Sequence, residues 1–387
     1  MGPAGTPAWA QWRGPHPLGP FTVGIEEEVM LLQPKAWSLA HRIETVLPRI
    51  PLEVAHQATA ETHGSAVELQ TGVHIEVGTA TAEQAMLRER LEATLKPLQL
   101  RAACAGTHPF AIWQEIAISA GDRYQFVYGS MRELARREPT FALHVHVGVP
   151  DSEAAIRVAN RMRVHIPILL ALSANSPFWQ GRDTGLASAR TPLFQAFPRV
   201  GIPEAFDSYE HYVEAVDLLI RCDAVPEPTF LWWDVRPQPR FGTVEVRIMD
   251  AQTSVEATAC LVALTQCLAR LEAEEGFVSE TMVALAPVIA ENRFLAARDG
   301  IEAELIDPDL ERRLPVPDLV EDLLVACRPH AQDLGCEAEL EAVRELARSN
   351  GASKQIAESH RVRTLPGLVA SLADQFRAGV SARKPVA

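Results

Sequence analysis

Residues 141–149 read FALHVHVGV and form the clearest strand pattern in the chain. Its odd-numbered positions are all apolar, whereas His144 and His146 stand at even-numbered positions. Successive side chains of a strand point to opposite faces of the sheet, so the stretch predicts a central β-strand with one apolar face and one imidazole-bearing face. Asp151 or Ser152 is predicted to cap the long helix that follows.

The same two-faced pattern occurs in residues 21–32, which read FTVGIEEEVMLL. Glu26 and Glu28 share one face of this predicted strand, whereas Glu27 falls on the opposite, apolar face with Ile25. The alternation therefore places two acidic side chains on a polar face and leaves Glu27 out of the candidate site.

A further strand is predicted from residue 67 to residue 79, where Glu76 alternates with apolar positions. Thr81 is predicted to begin a helix, with Gln84 three residues later completing a capping box. Glu68 lies near the start of the same predicted strand.

The fourth two-faced stretch lies within residues 231–250, which read LWWDVRPQPRFGTVEVRIMD. Glu245 and Arg247 share its polar face, opposite Val246. The segment 175–203 before it is rich in Gly, Pro, Ser, Thr and Arg, and it predicts a long ordered loop of the kind that usually serves a function.

Beyond Ser254 the Leu-, Ala- and Glu-rich pattern indicates helices almost to the end of the chain. Strands early and helices late predict an α+β fold with a single domain over residues 21–387. Residues 1–20 contain five prolines and no apolar run, and they predict a loose N-terminal tail rather than a signal peptide.

Composition narrows the class of protein. The 387 residues are 47% hydrophobic and 22% charged, as expected for a globular protein, and the net charge of −14 argues against nucleic acid or an anionic membrane as partner. The longest apolar stretch, residues 166–172, is far too short to span a bilayer. Six scattered cysteines without a CxxC pair suit a reducing compartment, so the predicted location is the cytoplasm.

Clustered carboxylates on the polar faces of central strands predict bound divalent cations, because ionised carboxylates are not buried without partners. A mostly carboxylate site suits Mg²⁺ or Mn²⁺ better than zinc. The alternatives are a solvated face for the glutamates, ordinary surface positions for His144 and His146, and a simple salt bridge between Glu245 and Arg247.

A bound nucleotide would need an unusual site, because the chain has neither a P-loop nor a Rossmann glycine motif. Its phosphates would be held through metals and through arginines. Trp232 and Trp233 either stack on a base or pack at a strand entrance. The candidate arginines are Arg182, Arg190, Arg236 and Arg247.

Seven blocks of this chain, between about residues 21 and 375, resemble in order those of the bacterial carboxylate-amine ligases, the second type of glutamate-cysteine ligase. The blocks are GIEEEV, FALHVHVGVPD, LSANSPFWQGRDTG, RTPLFQAFPRVG, LWWDVRPQPRFGTVEVRIMDAQ, ENRFLAARDG and GASKQ.

The resemblance implies a glutamine-synthetase-like fold, in which a curved antiparallel sheet forms a funnel and helices cover its convex side. It also implies ATP, Mg²⁺ ions, small acid and amine substrates, and a homodimer. Arg247 would contact phosphate and act in catalysis with Glu245, while Arg190, Arg236 and Trp233 would bind the nucleotide or substrate. The implied metal ligands are Glu26, Glu28, Glu68, Glu76, His144 and Glu245.

Two other functions stay open on the sequence alone. One is a metal-dependent amidohydrolase, since HxH on a strand also occurs in barrel enzymes, although the late position of residues 144–146 and the helical last third disfavour it. The other is a ligand-binding relative without catalysis.

Overall fold

The computed structural model describes residues 5–137 and 139–381, and strands occur mainly in its first two thirds. In chain order they are β1 (Val23–Leu32), β2 (Ala58–Ala60), β3 (Ala66–Gln70), β4 (Arg101–Ala103), β5 (Ala142–Gly148), β6 (Phe178–Trp179), β7 (Arg182–Asp183), β8 (Val200–Gly201), β9 (Trp232–Trp233), β10 (Val235–Gln238), β11 (Thr243–Asp250), β12 (Glu304–Asp307) and β13 (Arg312–Pro315).

Seven of these strands form one antiparallel sheet in the order β10-β11-β5-β1-β3-β2, and β4 also pairs with β1. Strand β1 therefore has neighbours along both edges. Glu26 lies opposite His144 of β5, and Glu28 lies opposite Glu68 of β3. This register brings the polar side chains of strands that are distant in sequence into adjacent rows.

Helices dominate the last third of the chain. The longest of them, α4 and α7, pack with the apolar side chains of β1, β5 and β11 in one core. Within the described ranges, no helix is long and apolar enough to cross a membrane. The helices are α1 (Ile43–Val46), α2 (Val77–Leu95), α3 (Asp122–Met131), α4 (Ser152–Ser173), α5 (Arg190–Phe194), α6 (Tyr209–Arg221), α7 (Val255–Glu274), α8 (Glu280–Ala284), α9 (Ala286–Asp299), α10 (Val316–Leu334), α11 (Glu337–Glu341), α12 (Val343–Arg348), α13 (Gly351–Val362) and α14 (Leu365–Ser381).

The predicted two-faced strands are confirmed for β1, β5 and β11. Ile25, Val145 and Val246 lie in the core, whereas Glu26 and Glu28 are partly exposed on the other face. Asp151 caps α4 as predicted, because its side chain accepts a hydrogen bond from the backbone N–H of Ala154 at 2.7 Å. The α+β class with late helices is confirmed as well.

The strand predicted over residues 67–79 is wrong beyond Gln70. Strand β3 ends there, and helix α2 begins at Val77 rather than at Thr81. The Thr81 hydroxyl donates to the carbonyl of Val77 inside the helix. Gln84 makes no capping box, since its amide donates to buried Glu27 at 2.7 Å.

A buried ion pair fastens α2 to the apolar side of β1. Glu27 and Arg88 are both fully buried, and Nε of Arg88 donates to Oε2 of Glu27 at 2.8 Å. The same guanidinium donates to the carbonyls of Gln252 at 2.8 Å and Thr253 at 3.0 Å. Arg88 therefore joins β1, α2 and the connection between β11 and α7.

Residues 7–20, called here the N-terminal strap, pack against the body of the protein instead of forming the loose tail expected. The Trp9 ring meets the ring of Tyr212 edge-on at a centroid distance of 6.1 Å. Ala10 is buried, and its carbonyl accepts a hydrogen bond from the Tyr209 hydroxyl at 2.7 Å.

The strap also contacts the turn between β10 and β11. Arg13 donates its backbone N–H to the carbonyl of Pro239 at 2.9 Å. Gly242 has a φ of +70°, and a Cβ at that position would lie 2.6 Å from the carbonyl oxygen of Arg13. Glycine is therefore required there both by the backbone conformation and by the closeness of the strap.

His108 is a buried histidine with both ring nitrogens hydrogen-bonded inside the fold. Nε2 lies 2.8 Å from the carbonyl of Trp37, to which it donates, and Nδ1 accepts from the backbone N–H groups of Phe110 at 3.3 Å and Ala111 at 3.0 Å. Only the neutral ring can make all three bonds, and burial lowers the pKa of His108 to about 4.

We expect the protein to lose stability as the pH falls from about 6.5 to about 4. An unfolded histidine has a pKa near 6.5, so the preference of the fold for neutral His108 has no cost above that pH and its full cost below the folded pKa. The loss should reach about 3 kcal/mol. Urea unfolding of the wild type and His108→Asn would show it as a steeper acid decline in the wild type, and His360→Asn, at an exposed position, is the control. Parallel pH profiles for wild type and His108→Asn would contradict this assignment.

Candidate metal centre

The polar face of the sheet gathers five carboxylates and two imidazoles, called here the acidic cluster. Three groups within it, among the described residues, place one potential ligand atom of each member within 4.8 Å of the others. The groups are Glu26, Glu68 and His144; Glu26, His146 and Glu245; and Glu28, Glu61 and Glu68.

Glu26 and Glu68 each belong to two of the three groups, and Glu26 also lies next to both imidazoles of the cluster. Its Oε2 lies 3.2 Å from Nδ1 of His144, and its Oε1 lies 3.4 Å from Nε2 of His146. Both contacts follow from strand pairing, since Glu26 faces His144 across β1 and β5 and His146 lies two residues further along β5.

The third group contains Glu61, which the sequence patterns did not reveal. Glu61 follows the three-residue strand β2, and so it stands outside any alternating stretch long enough to indicate a face. Pairing of β2 with β3 brings this segment next to Glu68. The only signal in the sequence is its acidic side chain.

The electrostatics of the cluster favour the binding of a cation. Burial, together with the charge of Glu61, raises the pKa of Glu28 to about 8. Burial and the charges of Glu26 and Glu61 raise the pKa of Glu68 well above its ordinary value. Carboxylates crowded in this way repel one another when ionised, and a cation between them would remove that cost.

The two histidines have different environments. Burial and the neighbouring guanidinium of Arg247 lower the pKa of His144 to about 4, so its ring is neutral at physiological pH. Neutral imidazole is the form that binds metal. For His146, burial acts to lower the pKa, but the charges of Glu26 and Glu245 outweigh it and raise the pKa. Those two histidine contacts in turn keep the pKa of Glu26 low despite its burial.

Arginines hold Glu245 in place. Its Oε2 accepts from Nε of Arg236 at 2.8 Å, and its Oε1 accepts from Nη1 of Arg247. Oε1 also lies 4.0 Å from ring nitrogens of both His144 and His146. Glu245 is therefore an anchor for two guanidiniums as well as a potential ligand. The simple Glu245–Arg247 salt bridge considered from the sequence is present, but within this larger network.

Arg190 reaches the cluster from the loop 175–203. Buried Asp250 organises that loop, because it accepts hydrogen bonds from the hydroxyls of Ser176 at 2.6 Å and Ser188 at 3.0 Å. The Arg190 guanidinium then donates to the carbonyls of Ile248 at 2.9 Å and Arg247 at 3.2 Å. The loop is ordered as predicted, and it contains the short elements β6, β7, α5 and β8.

Cavities of unequal size adjoin the cluster on two sides. The larger, of about 350 Å³, is lined by Glu26 and His146, by the glycine-rich ends of β1 and β5, and by Arg13 of the N-terminal strap. The smaller, of about 60 Å³, is lined by Glu28, Glu61, Arg190, Arg247 and Trp232, among others. The acidic cluster thus lies between a space that could take a nucleoside and a much smaller one.

The structure brings together Glu26, Glu28, Glu68, His144 and Glu245, but it does not bring Glu76 to them. Glu76 is exposed at the residue before α2, in the segment that is not a strand. Its predicted place on a polar strand face is therefore wrong.

Of the predicted nucleotide contacts, Arg247 and Arg190 line the smaller cavity, whereas Arg236 is buried against Glu245 and backbone carbonyls. Trp233 packs in an apolar cluster with the ring of Phe206, at a centroid distance of 6.0 Å. Its neighbour Trp232 is the tryptophan at the smaller cavity. Packing, the second alternative for this pair, accounts for Trp233.

The chain is similar to known proteins in both sequence and structure. The family model of glutamate-cysteine ligase family 2 matches residues 22–364. Two proteins of Rubrobacter xylanophilus, provisionally named glutamate-cysteine ligase 2-3 and 2-1, are 41% and 38% identical to this chain. The first match covers 92% of this chain and 97% of the relative, and the second covers 87% and 89%.

Among solved structures, the glutamate-cysteine ligase of Francisella tularensis, determined in complex with AMP, is similar with a TM-score of 0.72. The match covers 94% of this chain and 90% of that one at 13% identity, so it is a likeness of fold. The α+β fold with an antiparallel sheet, expected from the sequence, is therefore shared with this solved glutamate-cysteine ligase.

Proposed function

Because this chain belongs to glutamate-cysteine ligase family 2 and is thereby an ATP-dependent ligase that forms C–N bonds, we propose that it joins the side-chain carboxylate of glutamate to an amine through an acyl phosphate, with Mg²⁺. One observation carries the proposal. The acidic cluster lies between a cavity with room for a nucleoside and a small cavity with two arginines, which is the order in which ATP, metal and acid must meet.

The residues of the acidic cluster fit Mg²⁺, since most of their ligand atoms are carboxylate oxygens. Neutral His144 would accept Mg²⁺ or the more imidazole-tolerant Mn²⁺. Glu26, Glu68 and His144 would hold one ion, and Glu28, Glu61 and Glu68 would hold another. Bound metal would supply neutralisation of the charge on the β- and γ-phosphates.

We assign the nucleotide to the larger cavity by size. A nucleoside needs several hundred cubic ångströms of space, which the cavity of about 350 Å³ provides and the cavity of about 60 Å³ does not. Arg13 is exposed at its wall and supplies positive charge. With the base and ribose there, the phosphates extend toward Glu26 and His146.

The reacting carboxylate group of the acid then enters the smaller cavity. Arg190 and Arg247 are positioned to hold carboxylate and phosphoryl oxygens, and Arg247 is fixed by its ion pair with Glu245. A carboxylate oxygen of the substrate attacks the γ-phosphorus, so that an O–P bond forms and the bond to the β-phosphate oxygen breaks. The amine nitrogen then forms a bond to the acyl carbon, the bond between that carbon and the phosphate oxygen breaks, and the nitrogen gives up a proton as phosphate leaves. These side chains contribute orientation and charge, which dominate phosphoryl transfer.

Phosphate release is expected to require four components together: the protein, ATP, Mg²⁺ and a matching acid–amine pair. The assay would offer glutamate with a panel of amines, cysteine among them, and would count phosphate against the amide product by mass spectrometry. We expect a one-to-one ratio for the correct amine, since one acyl phosphate is consumed per bond.

Two outcomes would contradict the proposal. Hydrolysis of an amide with metal but without ATP would favour the amidohydrolase alternative, and ATP binding without turnover for any pair would favour the ligand-binding alternative. The homodimer and the cytoplasmic location remain predictions, which light scattering and cell fractionation would test.

A further inference from the structure

Arg163 lies in the middle of helix α4 with only 2% of its surface exposed. Five arginines are buried within residues 5–137 and 139–381, and the other four each donate at least two hydrogen bonds. In contrast, Nε and Nη1 of Arg163 are buried and have no hydrogen-bond partner among the described residues. The other four are Arg88, Arg190, Arg236 and Arg293.

The uncompensated guanidinium of Arg163 has an energetic consequence. A charge that is removed from water without a partner is destabilising, and burial accordingly lowers the pKa of Arg163. The carboxylate that acts on it electrostatically, Glu204, is itself exposed to solvent. The fold therefore opposes this buried positive charge only with the solvated carboxylate of Glu204, which lines the same cavity as Arg163.

Arg163 lines a cavity of about 510 Å³ that is separate from the acidic cluster. Helices α4, α5 and α9 and the segment around β8 bound it, and most of its wall is apolar. A second arginine at the wall, Arg293, is already occupied, because its Nε and Nη2 donate to the two carboxylate oxygens of Asp234 at 2.6 and 3.2 Å. Among the described residues that line this cavity, only Arg163 therefore has a guanidinium that is free to bind a ligand.

We infer that this cavity binds a small carboxylate with an apolar body. The Arg163 guanidinium would hold the carboxylate through paired N–H···O bonds, and the side chains of Val200, Ile202 and Phe294 would cover the apolar part. A phosphate fits less well, since one arginine in an apolar wall would leave several phosphate oxygens without donors.

The position of the cavity places this ligand next to the machinery of the reaction. Thr191 lines the cavity and directly follows Arg190. On another wall, Arg293 pairs with Asp234. The backbone carbonyl of Asp234 also accepts a hydrogen bond, at 2.8 Å, from the backbone N–H of Arg247. Two walls of the carboxylate site are therefore continuous with the arginines of the smaller cavity.

Titration calorimetry on the full chain tests the site, with hexanoate as the probe and hexanamide as its uncharged counterpart. We expect the wild type to bind hexanoate at least about tenfold more tightly than hexanamide, and Arg163→Met to lose at least about tenfold in hexanoate affinity. Arg157→Met is the matched control, because Arg157 is exposed on the same helix and should not affect binding. Equal hexanoate affinity in wild type and Arg163→Met, or no binding to the wild type, would overturn the inference.

Thermal unfolding of the same variants without ligand gives an independent check. If Arg163 lacks a partner, replacing it with methionine should leave the unfolding temperature unchanged or raise it, because a covered charge is removed. A clear fall relative to Arg157→Met would mean that the guanidinium is already satisfied by the chain, and the site would be ruled out. Neither experiment depends on ligase activity, so both test the carboxylate site even if the proposed ligase reaction is not observed.

Discussion

Glu26→Gln is expected to lower the kcat/KM of ATP-dependent phosphate release by at least about 10³-fold, or roughly 4 kcal/mol of transition-state stabilisation. Glu26 belongs to two of the three potential ligand groups and contacts both histidines of the acidic cluster. A neutral amide at this position would weaken the ion site shared with Glu68 and His144, and it would remove the charge that Glu26 offers to the group with His146 and Glu245. Steady-state phosphate release over a range of Mg²⁺ concentrations would measure the effect.

The matched control is Glu76→Gln, the same substitution at an acidic residue that lies outside the cluster. Glu76 is exposed ahead of α2, so kcat/KM should change by no more than about twofold. Glu76→Gln should unfold at a temperature close to that of the wild type because Glu76 is solvated, and Glu26→Gln should remain folded while losing the contacts of Glu26 with His144 and His146. A loss in Glu76→Gln as large as in Glu26→Gln would mean that the start of α2 moves onto the acidic cluster during turnover.

Arg88→Met should have the largest effect on folding, with a loss of about 3–5 kcal/mol in the free energy of unfolding. The substitution leaves the Glu27 carboxylate fully buried without its counter-charge and removes two hydrogen bonds to the carbonyls of Gln252 and Thr253. Urea denaturation followed by circular dichroism would give the change.

A double variant separates the ion pair from the packing around it. Glu27→Leu combined with Arg88→Met removes both charges, and we expect it to recover a large part of the lost stability. A loss below about 1 kcal/mol for Arg88→Met alone would show that water or a rearranged side chain reaches Glu27. The pair also matters for the site, because Glu27 lies between Glu26 and Glu28 on β1.

Much of the site could be predicted from the sequence because its strands are central. A strand that is buried on one face shows strict alternation, and in β1, β5 and β11 this alternation assigned Glu26, Glu28, His144 and Glu245 to one face. The separation of Glu27 from its neighbours followed from the same rule. The alternation could not show the register between strands, which decides that Glu26 faces His144.

The predictions that were wrong or missing concern segments in which the alternation of apolar and polar residues is short or accidental. Residues 71–76 alternate in hydrophobicity, yet Val73 and Ile75 are each 48% exposed, so the pattern there reports no buried face. Glu61 escaped prediction because three residues of strand cannot establish a period. Trp233 could not be separated from Trp232, since adjacent strand residues point oppositely and only tertiary packing tells which one meets the cavity.

The N-terminal strap has a practical consequence for anyone who handles this protein. The match to the family begins at residue 22, after the strap has ended, so trimming the gene to the family boundary would remove Trp9 and Ala10 from their aromatic neighbours and open one wall of the larger cavity. Biochemical work therefore calls for a version of the protein that keeps the whole N-terminal strap.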